Sequence, residues 1–458
     1  MDFPAPPAGW LPTLQPGLAP RLHAVLGGQE DASEMAAAET VVRALLDDAR
    51  QHRVSDLHLE PCRRGWRVRM RVDGVMHDVA QFTGELGRRV IRYLRTAAGL
   101  DPVVTYRPED ASLQVRSGEA EVDVRLATVP CVGGEKMALR ILDPARLQQR
   151  IGELGLVADQ VRTIESFLRE ATGLFLVTGP TGSGKTTTLY GLLHELRMSQ
   201  HAVVTLEDPV EYPVDGIAQI QVDPGHGLGF AAGLRAMLRL DPDYLLVGEM
   251  RDRESAQVAV EAAESGHFVM STLHCPDAAG VVTLLRTWGV PDYQIASTLQ
   301  LVINQRLVRR LCPRCRRPGA PTPAEQAWVG ALGGRLPPEV HRPAGCPGCQ
   351  QTGYRGRIGV FEVWRRHESD YQLILGQADE HALRAHLRRR GLPTVFEDGL
   401  AKVQAGVTSL AEIQSLGGLA PTLPVVPPPG SAHPLALRTA GQRPGRTPPS
   451  RRASRPEG

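Results

Sequence analysis

The nine residues GPTGSGKTT, Gly179 to Thr187, contain the pattern G-x-x-x-x-G-K-[ST]. Gly179, Gly182 and Gly184 let backbone N–H groups turn inward around phosphate oxygens. Lys185 supplies a point charge to the β and γ phosphates, and Thr186 offers its hydroxyl to Mg²⁺. The apolar run GLFLVT precedes the loop and a helical pattern follows it, so the helix adds its positive end to the same site. The expected nucleotide contacts are Gly179, Pro180, Thr181, Gly182, Ser183, Gly184, Lys185, Thr186 and Thr187, together with Asp208.

Hydrolysis needs more than binding, because a water has to be oriented and developing charge compensated. In the run DPDYLLVGEMRD, Gly248 stands where an acid is expected to end the apolar stretch, and Glu249 follows it. Other apolar runs end in Glu207 and Asp208 (VTLEDPVEY) and in His274 (HFVMSTLH), the latter run opening with His267. In open α/β sheets ligands sit beyond the carboxyl ends of the strands. A capping or solvated role explains any one of these residues, but three strand ends each offering an acid or a histidine describe a catalytic constellation.

Four of the seven cysteines form two C-x-x-C pairs, Cys312/Cys315 and Cys346/Cys349, each with a proline after its first cysteine. Such knuckles fit a tetrahedral thiolate Zn²⁺ site. Thirty residues separate the pairs, so an insertion containing the Pro-rich RRPGAPTPAEQ is expected to be looped out. Cys62, Cys131 and Cys275 have no telling spacing, and the whole pattern suits metal ligation in a reducing compartment rather than disulfides.

The elements that must position these groups fall into two domains. Residues 34–147 begin with a helical pattern and continue with strand-like alternation: SDLHLEP, RVRMRVDG with a hairpin-type Asp73-Gly74, EVDVRLATV and EKMALRIL. This predicts a mixed α+β domain with one arginine-rich sheet face that includes Arg125 and Arg140. Residues 148–158 read as a linker. From 159 to 416, apolar strands alternate with helices, which indicates a mostly parallel sheet with crossover helices and the cysteine region 312–349 inserted in it. Residues 1–33 are Pro-rich with little periodicity and are expected to be disordered or loosely docked, as is the segment 417–458, which from Gly418 holds ten prolines and six arginines against one glutamate.

Two domains suit the 458 residues, and the 42% hydrophobic content is ample for two cores. Lysine plus arginine number 52 against 50 acids, so the charge balance gives no reason to expect a nucleic-acid partner. The N-terminus lacks a signal-peptide pattern and no window reaches the length of a membrane span, so the chain is expected in the cytoplasm, recruited to any membrane by partners.

Taken together, GPTGSGKTTTLY, VTLEDPVEY, LRAMLRLDPDYLLVGEMRD, GHFVMSTLH, QRLVRRLCPRC and CPGCQQTGYRGRIGVFEV resemble the ATPases of type II secretion and type IV pilus assembly, in family order. SDLHLEP, RVDG and VDVRLATVPCVGGEKMALRILD resemble their arginine-bearing N-terminal domain, and the likeness runs from about Glu34 to Leu416. It implies a RecA-like P-loop domain, a Walker A motif at Gly179–Thr186, an Asp box at Thr205–Tyr212, a Walker B motif ending in Glu249 and a His box at Gly266–His274. Glycine before the Walker B glutamate is the family's usual form. By the same resemblance Glu207 polarises the attacking water, Glu249 acts through Mg²⁺, and Arg125, Arg140, Arg235 and Arg239 are arginines that meet phosphate when domains close.

The resemblance further implies ATP, Mg²⁺ and Zn²⁺ as cofactors and a homohexamer at the inner face of the cell membrane. Its partners there would be a platform protein and a cytoplasmic docking component, with no direct nucleic-acid contact, in the assembly of pilins or pseudopilins. The alternatives are a retraction or DNA-uptake pilus motor of the same family, whose retraction group lacks the four cysteines, and a nucleotide-gated scaffold that does not hydrolyse. Two departures stand out. Many relatives have a Gln-Asp-Gly-Arg turn where this chain has PEDAS, Pro108–Ser112, and Cys275 replaces the usual threonine after the His box.

Overall fold

The computed structural model describes residues 16–27, 34–103, 106–117, 120–142, 149–170, 172–196 and 201–417. Two sheets organise them. The first is antiparallel, with order β3-β2-β1-β6-β5-β4, from β1 (Val54–Cys62), β2 (Gly65–Val72), β3 (Val75–Phe82), β4 (Glu109–Ser117), β5 (Ala120–Cys131) and β6 (Gly134–Leu142). Period-two alternation sends Leu57, Leu59, Val68, Met70, Val124, Leu126, Met137 and Leu139 to one face. There they pack against helices α2 (Glu34–Gln51) and α3 (Gly84–Ala97) through Val41, Leu45, Val90, Ile91 and Leu94.

The opposite face carries the arginines expected there, but they are not a free cationic surface. Arg67 pairs with Glu60 at 2.7 Å, Arg69 with Asp78 at 3.3 Å, and Arg71 and Arg140 with Asp56 at 3.3 and 3.2 Å. Cross-strand register causes this, since β1 brings Asp56 and Glu60 opposite Arg71 and Arg67 of β2. Burial opposes ionisation of Glu60, yet hydrogen bonds from Arg67 and Lys136 outweigh it and hold the pKa down at about 2.

Of the two states expected for the N-terminal segment, disordered or docked, part of it is ordered and docked. A 3₁₀ turn at Pro16–Leu18 leads into α1 (Pro20–Gly27), and Leu18, Ala19 and Leu22 are fully buried. The cap comes from a distant side chain, because Asp48 of α2 accepts the backbone N–H groups of Arg21 and Leu22, the latter at 2.9 Å. The other residues of that segment and the tail from 418 lie outside the described residues. PEDAS is not a separate turn either: its Glu109 opens β4 and pairs with the buried Arg95 at 2.7 Å.

The second sheet has order β15-β12-β7-β11-β10-β8-β9, from β7 (Gly173–Thr178), β8 (Val203–Glu207), β9 (Ala218–Gln221), β10 (Tyr244–Val247), β11 (Phe268–Leu273), β12 (Leu299–Leu311) and β15 (Tyr354–Arg365). All neighbours in it are parallel except β12 with β15. Strands β7, β8, β10 and β11 are buried at every position, as expected where helices cover both faces. The insertion between the cysteine pairs folds into a short ladder, β13 (Arg317–Gly319) with β14 (Val340–Arg342), and a helix, Pro323–Ala331. Thr322 and Glu325 form a capping box at its start, and Val329 and Val340 enter a small core with Val308, Val360 and Phe396.

The charged face gives a test. With the folded-state pKa of Glu60 near 2 against an ordinary 4.5, its stabilisation is present above about pH 4.5 and is lost as pH falls toward 2. Glu60→Gln should cost about 1–2 kcal/mol at pH 7 after allowance for solvent screening. Scanning calorimetry should find that this difference shrinks below pH 4.5; a difference independent of pH would reject the assignment.

Candidate active site

Gly179 follows directly on β7 with φ 146°, and a Cβ there would lie 2.5 Å from the carbonyl oxygen of Gln305 and 2.7 Å from Ser183 Oγ. Only glycine allows that approach. Gln305 comes from β12, and its side chain spans the loop: Nε2 donates to Ser183 O and Oε1 accepts from Thr188 Oγ1, both at 2.8 Å. Lys185 Nζ donates to Gly179 O at 2.8 Å. Burial pushes the Lys185 pKa down, against the pull of Glu249. Ser183 Oγ is buried and has no hydrogen-bond partner among the described residues. An orphaned hydroxyl, an ammonium and the N-terminus of the helix Lys185–Leu196 converge on one cradle, which is the donor set that a polyphosphate requires.

A chain of alternating charge runs beside this cradle. Lys185 Nζ lies 3.4 Å from His274 Nδ1, and His274 Nε2 lies 2.7 Å from Glu249 Oε1. Arg251 Nε donates to Glu249 Oε2 at 2.8 Å, and Arg251 Nη1 donates to Asp208 Oδ2 at 3.0 Å. The partners set the imidazole's roles, with Nδ1 accepting from the ammonium and Nε2 donating to the carboxylate. Gly248 continues the pairing of β10 with its parallel neighbour β8: its N–H donates to Leu206 O at 2.8 Å, and a Cβ there would make only an ordinary contact, 3.4 Å from that same oxygen.

Glu207, in contrast, ends β8 with its side chain turned into the sheet–helix interface, 4% exposed. Its Oε1 accepts from Thr205 Oγ1 at 2.6 Å and Gln219 Nε2 at 3.1 Å, and its Oε2 accepts from Tyr190 Oη at 2.6 Å. Arg125 of β5 reaches across from the first sheet to this segment, donating to Val210 O at 3.2 Å and lying 3.4 Å from Glu211 Oε2.

Of the residues singled out from sequence, Lys185, Asp208, Glu249 and His274 are thus in one connected cluster, with Glu207 on the neighbouring strand. Thr186 is exposed at the start of the helix. His267 is elsewhere: it opens β11 while His274 follows its end, so six strand residues, about 20 Å, separate them, and its ring binds Ser265 Oγ and Ala262 O. Arg140 is held by Asp56, Arg235 by Glu254 at 3.0 Å, and Arg239 is exposed. Cys275 is buried beneath the site, and burial pushes its thiol up to about 11. Tyr190, Arg251 and Gln305 escaped the sequence reading. Tyr190 left a trace, since a tyrosine on a buried helix face needs a partner for its hydroxyl.

The four cysteines meet. Their sulfurs all lie within 4.8 Å of one another, with Cys312–Cys346 at 3.9 Å, Cys315–Cys349 at 3.8 Å and Cys346–Cys349 at 3.7 Å. A tetrahedron with metal–sulfur bonds of about 2.3 Å has edges of about 3.8 Å. Of the nearby arginines, Arg309 pairs with Glu412 and stacks on Tyr354.

Comparison with known proteins agrees with this geometry. Residues 31–415 match the family described as Type II/IV secretion system protein. The chain is 40% identical over 373 residues to the "Type II secretion system ATPase E" of Vibrio cholerae, covering 81% of this chain and 74% of that one. It is 38% identical over 397 residues to the "Type IV pilus assembly ATPase PilB" of Pseudomonas aeruginosa, covering 84% and 69%. Among solved structures, the ATPase DotB of Legionella pneumophila superposes with a TM-score of 0.62 at 21% identity, covering 82% of this chain and 94% of that one. The pilus retraction motor PilT with bound ADP superposes with a TM-score of 0.56 at 22% identity, covering 82% and 97%. These last two establish a shared fold.

The sulfur spacing makes a prediction. Protein prepared without chelator should contain about one tightly held metal per chain by mass spectrometry, and Cys346→Ser should lose it while nucleotide affinity changes less than about 3-fold. Metal-free wild-type protein, with the four cluster thiols titrating in addition to the exposed Cys62 and Cys131, would overturn it.

Proposed function

Because the chain belongs to the Type II/IV secretion system protein family, we propose that it is an ATP hydrolase, working as a homohexamer, that drives assembly of pilins or pseudopilins at an inner-membrane platform. The observation that carries this reading is the charge chain Lys185–His274–Glu249–Arg251–Asp208 beside a complete phosphate cradle. A scaffold that only bound nucleotide would not need strand-end acids and a histidine gathered at the phosphates. No described helix is long and apolar enough to cross a membrane, and a docking component would bring the hexamer to the platform.

In this reading the N–H groups of Thr181 to Thr186 bind the phosphates and Lys185 exchanges its carbonyl partners for phosphate oxygens. Mg²⁺, when bound, neutralises charge developing between the β and γ phosphates; Thr186, Glu249 and Asp208 would hold it directly or through its waters. Those carboxylates are engaged by Arg251 and His274, so nucleotide entry exchanges one set of cations for another. His274 reports the state of Lys185 to Glu249. Glu207 polarises the attacking water, and Arg125 ties this step to movement of the first domain because it holds the Asp box. Arg140 and Arg235 would reach phosphate only after their surface partners are exchanged, and the exposed Arg239 would reach it directly, on closure or at a subunit boundary. The cysteine cluster would hold Zn²⁺ as a structural ion, fixing the strand ends on either side of the insertion.

The test is phosphate release in the full-length protein. Lys185→Ala should weaken nucleotide affinity by about 10-fold or more, whereas Glu249→Gln should keep affinity and lose about 10²-fold in turnover. Turnover per subunit should also rise with protein concentration as hexamers form. A Glu249→Gln variant with normal turnover would reject the catalytic assignment, and a wild-type protein that binds ATP without releasing phosphate would favour the scaffold.

A further inference from the structure

The helix that follows the P-loop buries a hydroxyl at the base of the Asp box. Tyr190 is 1% exposed, and its ring packs on Tyr212 with centroids 4.6 Å apart. A phenol has one proton to give and two lone pairs to fill. The proton goes to Glu207 Oε2 at 2.6 Å, the shortest contact and one strengthened by the carboxylate's charge. The lone pairs accept Glu211 N–H at 3.1 Å and Gln219 Nε2 at 3.4 Å. Burial and the neighbouring Glu207 charge push the phenol's pKa up, so the donor is present throughout the working pH range.

Two consequences follow from this saturation. Glu207 Oε1 takes two donors and Oε2 takes one, so the carboxylate is held in a single orientation with acceptor capacity left on Oε2. Furthermore, Glu211 is gripped from both sides: its backbone N–H by Tyr190, its side chain by Arg125 of the first sheet. A displacement of Arg125 relative to the second sheet therefore pulls on the residue whose N–H fills a lone pair of the hydroxyl that orients Glu207.

We propose that Tyr190 is a positioning residue for hydrolysis, linking the P-loop helix to Glu207 and transmitting the Arg125 contact of the N-terminal domain to that carboxylate. This rests on Glu207 acting in hydrolysis. The hydroxyl neither touches phosphate nor shapes the cradle, so its removal acts on turnover and not on nucleotide affinity. Because Arg125 and Tyr190 lie on one path, their losses are not independent.

Tyr190→Phe keeps the ring and its packing and removes one oxygen. In the full-length protein it should hold ATP affinity within about 2-fold and lose about 10-fold or more in kcat, at a temperature well below its own Tm. Arg125→Ala alone should lower kcat, and the double variant should be no more than about 2-fold below Tyr190→Phe. Multiplying losses in the double variant, or normal kcat in Tyr190→Phe, would overturn the proposal. Glu207→Gln separates the two levels of inference: an inactive Glu207→Gln beside a fully active Tyr190→Phe overturns the role of Tyr190 alone. A fully active Glu207→Gln overturns the role given to Glu207 and the proposal that depends on it.

Discussion

The central strands β7, β8, β10 and β11 are buried on both faces, so each backbone N–H and C=O in them has to be paired by a neighbouring strand. In a parallel ladder that requirement also fixes where the strands stop. Val247 is level with Leu206 on one side and Ser271 on the other, and Leu273 is level with Thr178. Gly179, Glu207, Glu249 and His274 therefore emerge at one edge because their strands must run in register. The charge chain beside the cradle is a consequence of that register, and so is the distance of His267, which opens the strand that His274 closes.

Polar groups at that edge are costly to leave unmatched, and the structure answers by connecting them. Lys185 has loop carbonyls and His274; Glu249 has His274 and Arg251; Glu207 has three donors. The loop itself is braced from β12, where Gln305 bonds both the loop and the helix beyond it. On the proposed reading, a ligand that brings its own negative charge and metal would have to exchange these partners, so binding would rearrange the network instead of filling an inert pocket. That property suits a site that converts nucleotide turnover into movement.

Arg125 holds Val210 and Glu211, and Asp73 in the β2–β3 hairpin accepts Gly356 N–H at 2.7 Å. Among the described residues, Arg67, Arg69, Arg71 and Arg140 are spent within the first sheet's own face, where Asp56, Glu60 and Asp78 neutralise them. Arg125 differs from them in having its carboxylate partner on the other domain. The Arg125 contact thus falls on the segment whose Glu211 N–H meets the Tyr190 hydroxyl that donates to Glu207.

The sequence alone determined the glycine-rich loop between β7 and the helix Lys185–Leu196, because its glycines act through local backbone geometry that the motif itself encodes. It determined the two fold classes, since period-two alternation with a hairpin turn and apolar runs alternating with helices are local signals. It also gathered the cysteines, whose knuckles need only to face each other. What it could not determine was the partner of any side chain whose neighbour is far along the chain. Asp48 capping α1, Asp56 and Glu60 neutralising the arginine face, Arg251 bridging Glu249 to Asp208, and Tyr190 holding Glu207 all depend on strand register and helix packing. Residue types announce what a side chain can do; only the tertiary structure decided what each one is doing it to.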